Sequence, residues 1–247
     1  MKAPAIVIFA KPPEPGRVKT RLLGSVSLQQ AAAVHRACLA DTVRNVDRLP
    51  GCQKCLWVAG TFAGARALAA SLGCGHTWRV SVQRGRGLGA RLERAFRELF
   101  DAGHRPVVAV GTDAPWMGPE RIRGALEMLG HVDVVLGPTM DGGYYLVGTR
   151  RFVPQMFRGI PWSTPGVLEA TRRALEKASI SYRLLPRDFD LDRPADVVRA
   201  RALLTQNKED APALAKLLRG VKERKVNRSS RRRALRRPRR TRRPGRA

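Results

Sequence analysis

Three groups of charged residues in this 247-residue chain have the types and the placing to do chemistry on phosphates. Lys11, Arg17, Lys19 and Arg21 crowd a loop rich in Pro and Gly. Asp113 follows at once on the apolar run 107–111, and Asp188, Asp190 and Asp192 alternate near the end of the apolar body. Cations of the first group suit a diphosphate. The carboxylates suit magnesium, which takes hard oxygen ligands and is held by one or two carboxylates plus substrate phosphates, so that Asp113 with one of Asp190 or Asp192 suffices. Metal and cations together stabilise charge that builds on phosphate oxygens as a phosphate bond, or the glycosidic bond to it, breaks. Such a site needs no side-chain nucleophile. Asp113 also has a purely structural reading, as the cap of a helix starting near Pro119 or the closure of a turn before Pro115.

These groups need a scaffold that brings strand ends together. Apolar runs at 5–10, 55–59 and 107–111, and the largely apolar stretch 133–138, predict buried strands, with further strands at 79–82, from Tyr144 and at 182–185. Between them, apolar spacing predicts helices over 28–47, 63–72, 90–102, 119–129, from about 165 to 178, 195–204 and 211–218. This alternation predicts a three-layer α/β/α, Rossmann-like fold with a mostly parallel sheet, in which ligands bind outside the carboxyl ends of the strands. All three charged groups then lie on one edge.

Local motifs add detail. Ser27 with Gln30 reads as a capping box, and Ser163 or Thr164 as the N-cap of the helix after Pro165. Asp141-Gly142 reads as a hairpin turn, while Gly142 and Gly143 allow a ligand close to the backbone and Tyr144 and Tyr145 offer stacking faces. Gly85 to Ala90 fits the dinucleotide pattern G-x-G-x-x-G/A, but it follows the third strand, whereas that fingerprint belongs in the first βα turn. A phosphate-friendly backbone turn is the reading that survives there. Cys52 and Cys55 lack a second ligand pair at matched spacing for zinc.

The hydrophobic content of 43% is ordinary for a globular chain, and the formal charge of +27 is not. Fourteen Lys and Arg, against Glu223 alone, fall in 222–247. The division expected is a nucleotide-binding domain over 1–220 and an Arg-rich tail over 221–247, disordered in isolation and attracted to nucleic acid or an anionic surface without regard to sequence. No window approaches the eighteen or so apolar residues of a membrane span. The amino-terminal run of six apolar residues is too short for a signal peptide, so a cytoplasmic location is expected by default.

Four motifs, in order and spacing, resemble a bacterial family of uncharacterised glycosyltransferase-A-like proteins. They are Phe9-Ala10-Lys11 through Pro15-Gly16 and Val18-Lys19-Thr20-Arg21-Leu22; Gly111-Thr112-Asp113 with Pro115; Gly137-Pro138 with Asp141-Gly142-Gly143-Tyr144-Tyr145-Leu146; and Trp162-Ser163-Thr164. The likeness covers residues 5 to about 204. That family is similar to nucleotide-diphospho-sugar transferases and to small nucleotidyltransferases such as phospholactate guanylyltransferase, whose opening loop is close to Lys11 through Leu22.

The resemblance implies a glycosyltransferase-A fold that binds a nucleotide or nucleotide sugar with Mg2+ or Mn2+, and an acceptor the sequence does not name. It puts Asp113 in the place of the metal aspartate and Asp192 in that of the second carboxylate, with Asp190 beside it. Catalytic roles are expected of Asp113, Lys19 and Arg21. Nucleotide or substrate contacts are expected of Lys11, Gly16, Arg17, Thr20, Gln83, Gly89, Arg91, Thr112, Asp141, Gly142, Gly143, Tyr144, Trp162, Ser163 and Thr164. Two departures stand out: Gly87-Leu88-Gly89-Ala90-Arg91 where the family has Asp-Leu-Gly-Glu-Arg, and Asp190-Leu191-Asp192-Arg193 where it has Asp-Val-Asp-Thr. Two reactions are open, glycosyl transfer from a nucleotide sugar and nucleotidyl transfer that releases pyrophosphate. A third reading, of another class, is a nucleic-acid-binding protein working through the tail.

Overall fold

Six apolar residues in a row, Ala5–Ala10, form strand β1, and alternate side chains feed two separate cores: Ile6, Ile8 and Ala10 on one face of the sheet, Ala5 and Val7 on the other. A computed structural model of the chain describes residues 2–220 apart from 24 and 207. The Arg-rich segment 221–247, and with it the expectation of a disordered tail, lies outside the described residues.

After β1 come α1 (Leu28–Asp47), β2 (Gln53–Val58), α2 (Phe62–Ser71), β3 (Trp78–Val82), α3 (Gly87–Asp101), β4 (Val107–Val110) and α4 (Gly118–Met128). The second half holds β5 (Val134–Pro138), β6 (Tyr144–Thr149), α5 (Val167–Lys177), β7 (Tyr182–Leu184), α6 (Pro194–Gln206) and α7 (Pro212–Gly220). The seven strands lie in the order β3-β2-β1-β4-β6-β5-β7, and every pairing is parallel except the two that β6 makes. Apolar residues of α1, α2, α4, α6 and α7 pack on one face, those of α3 and α5 on the other, which is the expected three-layer arrangement. From β1 the chain winds outward to β3, then returns to β1's other side as β4. The order therefore reverses between β1 and β4, and a crevice opens beyond their carboxyl ends.

Ser27 caps α1 as expected: its Oγ accepts from Gln30 N–H, and Gln30 Oε1 accepts from Ser27 N–H. Asp141-Gly142 does join β5 to β6 as a hairpin. The cap of α5 is different. The helix begins only at Val167 after Gly166, and Thr164 Oγ1 instead accepts from Gly166 N–H and donates to the Pro161 carbonyl, closing a local turn. Pro165 keeps Thr164 out of the helical region, which delays the start. The far helix α7 is tied to α1, where Asp41 accepts from the N–H groups of Ala213 and Leu214 and Asn45 donates to the Asp210 and Pro115 carbonyls.

At the sheet edge opposite the crevice, Asp133 accepts from Arg150, Arg151 and Ser181 at 2.9–3.0 Å. The Arg151 hydrogen bond outweighs burial and, with those of Arg150 and Ser181, holds the carboxyl well below the usual range. A depressed carboxylate pKa gives stability that is full above the unfolded value, about 4, and fades as pH falls through the folded one. Both arginines are about half exposed, so the contribution is screened. Asp133→Asn is expected to cost about 1–2 kcal/mol in urea denaturation at pH 7, with the gap to wild type closing below pH 4.

Candidate functional site

Beyond the carboxyl ends of β1 and β4 the loops enclose a cleft of about 610 Å³. Its floor is ionic. Lys19 leads a single turn of 3-10 helix, Thr20–Leu22, from a left-handed backbone (φ 49°, ψ 37°), and its side chain is only 3% exposed. The Lys19 ammonium donates to Asp113 Oδ1 in a short ion pair and to Asp192 Oδ1 at 3.2 Å. Arg21 Nη1 reaches Asp192 Oδ2 at 3.3 Å from the solvent side. The two acidic segments are also joined by backbone, since Leu191 N–H donates to the Asp113 carbonyl at 2.9 Å.

Charge crowding shapes the titration of this floor. Burial raises the Asp113 pKa, but the Lys19 ammonium beside it more than compensates and holds the carboxyl below its usual range. Burial likewise opposes the Lys19 charge, and Asp113 and Asp192 raise its pKa well above the ordinary lysine value. Asp190 lacks such a partner. Burial first, then the charges of Asp113 and Asp141, push it up to about 8, so it carries a proton at neutral pH. Asp113 and Asp192 thus share the charges of Lys19 and Arg21, and the protonated Asp190 lies beside them. Hard oxygen donors so arranged fit Mg2+ or Mn2+. Among the described residues, no group of three or more His, Cys, Asp or Glu is placed to hold a metal by itself, so the remaining positions would fall to phosphate oxygens and water.

The candidate residues divide. Lys11, Arg17, Lys19, Thr20, Arg21, Thr112, Asp113, Asp141, Gly143, Tyr144, Trp162, Ser163, Thr164, Asp190 and Asp192 line the cleft. Gly16, Gln83, Gly89, Arg91 and Gly142 do not, and the surroundings of Gln83, Gly89, Arg91 and Gly142 give those four structural work. Gln83 Nε2 donates to the carbonyls of Ala10 and Trp57 at 2.9 Å, binding the ends of β1 and β2 together, and Arg91 donates to Gln83 Oε1 and the Gly85 carbonyl. Gly89 makes room for the Trp162 indole, whose Nε1 would be 2.1 Å from a Cβ there. Asp141 folds its own turn, accepting from Thr139 Oγ1 and Gly143 N–H. Asp188 leaves the acidic group altogether: it accepts from Trp116 Nε1 at 3.0 Å and faces Arg121 at 3.8 Å.

Sequence reasoning missed His35, Arg193 and an apolar wall of Phe9, Leu88, Leu92 and Val167. His35 Nε2 lies 3.0 Å from the Lys11 carbonyl, which can only accept, so this nitrogen carries the hydrogen. Burial lowers the His35 pKa, leaving the ring neutral. A signal for it existed: His35 falls on the stripe of α1 that otherwise carries Ala31, Ala32, Leu39 and Val43. On the wall, the Trp162 indole donates to the Phe157 carbonyl and meets the Tyr144 ring edge to face, centroids 6.0 Å apart.

The fold is that of a nucleotide-diphospho-sugar transferase-like protein. A protein of Desulfovibrio desulfuricans G20, provisionally named a nucleotide-diphospho-sugar transferase, is 32% identical and superimposes with a TM-score of 0.79 over 89% of this chain and 95% of that one. Residues 42–164 match the family described as an uncharacterized protein conserved in bacteria (DUF2064), and the chain belongs to that family. Fold alone is shared with 4-diphosphocytidyl-2C-methyl-D-erythritol synthase of Anaerococcus prevotii DSM 20548 (12% identity, TM-score 0.56, 83% of this chain and 96% of that). The same holds for the manganese complex of Rv0371C from Mycobacterium tuberculosis H37Rv (18%, TM-score 0.50, 81% and 97%). No curated protein matches the sequence. No helix among the described residues is long and apolar enough to cross a membrane.

Proposed function

We propose that the protein is a metal-dependent glycosyltransferase that takes a sugar from a nucleotide-diphospho-sugar. The coarser statement stands on kinship: it is a nucleotide-utilising transferase of the glycosyl- or nucleotidyl-transferring kind. The metal-dependent part of this reading rests on the convergence of Asp113 and Asp192 on a single buried cation at the crevice between β1 and β4, and the choice of a nucleotide-sugar donor on the 32% identical relative provisionally named a nucleotide-diphospho-sugar transferase. Asp113 and Asp192, with Asp190 beside them, would hold Mg2+ or Mn2+; the manganese bound by a protein of the same fold is consistent with this choice. When bound, the metal supplies a Lewis acid for the diphosphate oxygens. Lys19 and Arg21 then balance the charge on the departing phosphate. Lys11, fixed by His35 through its carbonyl, and Arg17 at the rim add to the cationic side of the cleft. The wall of Phe9, Leu88, Leu92, Tyr144 and Trp162 is placed to exclude water and to seat a ring, and acceptor recognition is assigned to this side.

Nucleotidyl transfer is the second reading. The Lys19-Thr20-Arg21 loop favours it, since the same cations would serve a triphosphate, and cytidylyltransferases share the fold. The third reading, nucleic-acid binding, depends on residues 221–247 and leaves the ionic floor without a role. A thermal-shift panel of nucleoside triphosphates and nucleotide sugars, each with Mg2+ or Mn2+, separates the three. At a hundredfold excess over Kd a ligand stabilises by about 2.7 kcal/mol, or roughly 5–10 °C for a domain of this size. A nucleotide sugar is expected to give such a shift and to release nucleoside diphosphate on turnover. Pyrophosphate release from a triphosphate would favour the second reading, and a flat panel would end both enzyme readings.

A further inference from the structure

Lys19 occupies the position that the two metal carboxylates define. Its ammonium lies on Asp113 Oδ1 and Asp192 Oδ1 together, at the end of a side chain 3% exposed, so it is an internal counter-ion and not a surface lysine awaiting a ligand. Its backbone is held in the left-handed region, which non-glycine residues rarely adopt unless the surroundings impose it. Asp192 is satisfied again from outside by Arg21. A divalent cation reaching these oxygens therefore meets two positive charges already on them.

We propose that Lys19 is a tethered competitor for the metal, and that metal and phosphate-bearing ligand enter as a coupled pair. This rests on the metal reading given above and adds an order to it. Moving the ammonium off Asp113 and Asp192 into a buried space without an anion is unfavourable, because a desolvated charge needs a partner. Phosphate oxygens supply that partner. Lys19 passes from carboxylate to phosphate, and the oxygens it leaves are free for the cation. Neither ligand is then held well alone, and the protein is protected from holding a divalent cation without substrate. The coupling is reciprocal by linkage: whatever phosphate does for metal affinity, metal does for phosphate affinity.

The experiment measures Mn2+ binding to the full chain by the electron paramagnetic resonance signal of free Mn2+, with no turnover involved. Lys19→Met, which keeps the stem and removes the charge, is expected to bind Mn2+ at least tenfold more tightly than wild type in the absence of any phosphate. Inorganic phosphate is expected to tighten Mn2+ binding to wild type and to leave Lys19→Met unchanged. A second measurement needs no variant. In wild type with 15N-labelled lysine, the buried Lys19 ammonium gives a slowly exchanging resonance that is expected to shift or vanish as Mg2+ and phosphate are added together. Equal Mn2+ affinity in the two proteins, or an ammonium resonance unmoved at saturating Mg2+ and phosphate, overturns the competition while leaving the metal reading in place. Absence of Mn2+ binding in both proteins, with and without phosphate, overturns the metal reading itself.

Discussion

Asp113→Asn is expected to lower kcat/KM at least a thousandfold while the protein stays folded. Three powers of ten correspond to about 4 kcal/mol of transition-state stabilisation, the size found when a group aimed at developing charge is lost. The physical reason is that Asp113 serves two partners. It anchors Lys19 through Oδ1, and the Lys19 ammonium holds its carboxyl ionised against burial. Asparagine keeps the shape and the backbone link to Leu191, so the 190–192 segment stays in place. Lys19 remains paired with Asp192 at 3.2 Å, which limits the loss of stability. Steady-state kinetics with the ligand found by thermal shift, set beside the circular dichroism of the variant, test this. A variant that keeps a tenth of wild-type activity would return Asp113 to the structural role of a turn residue.

Gly142→Ala is expected to cost about 3 kcal/mol of stability and to raise KM tenfold or more. Two penalties add at this position. Gly142 has φ +89°, where alanine is strained by more than about 1 kcal/mol, and forcing extra volume into a packed contact adds about 1–3 kcal/mol. The contact is backbone and cannot swing aside: a Cβ on Gly142 would lie 2.0 Å from the Pro165 carbonyl oxygen. Gly142 also accepts from Leu168 N–H at 2.9 Å, so moving the hairpin tip disturbs the start of α5 and the Trp162–Pro165 wall together. Gly73→Ala is the control, with φ +75° and nothing within 4 Å of its Cβ, and it should show the backbone cost alone. Urea denaturation of the two variants separates clash from strain, and equal losses would mean that the Pro165 contact relaxes at no cost.

Much of this site could be read from local patterns because local forces set them. The extent of α1 followed from its apolar stripe and the Ser27 capping box, and the β5–β6 turn from Asp141-Gly142. Asp113, which lines the cleft, stood out because an acid directly after a buried parallel strand falls where open α/β sheets bind their ligands. What escaped notice depended on partners far along the chain. Lys19 meets acids 94 and 173 residues away, so its side chain read as a free cation when it is a buried one. Asp188 stood in sequence with Asp190 and Asp192, yet the Thr139 bridge and the stacking of Phe189 on Trp116 turn it to another surface. Gln83 and Arg91 were expected at the ligand, and no local rule could show that their side chains bond to neighbouring carbonyls and to each other. The start of α5 was misplaced because Thr164 can satisfy a turn as readily as a helix, and Pro165 decides between them.

The single antiparallel strand β6 has a consequence for how such a protein can diversify. By running back between β4 and β5, it brings the hairpin tip to the edge where β1 and β4 end, so one rim is built from chain segments that come from opposite halves of the sequence. The loop after β1, the turn after β4 and the 190–192 segment contribute the ionic floor, while the hairpin and the segment around Trp162 join Phe9 and α3 in one wall. Leu88, Leu92 and Trp162 on this wall lie outside the strands and outside the Lys19 ion pairs, whereas Phe9 and Tyr144 belong to β1 and β6. On the function proposed above, acceptor choice falls to one side of the rim and phosphate chemistry to the other, so the first can change while the second is kept.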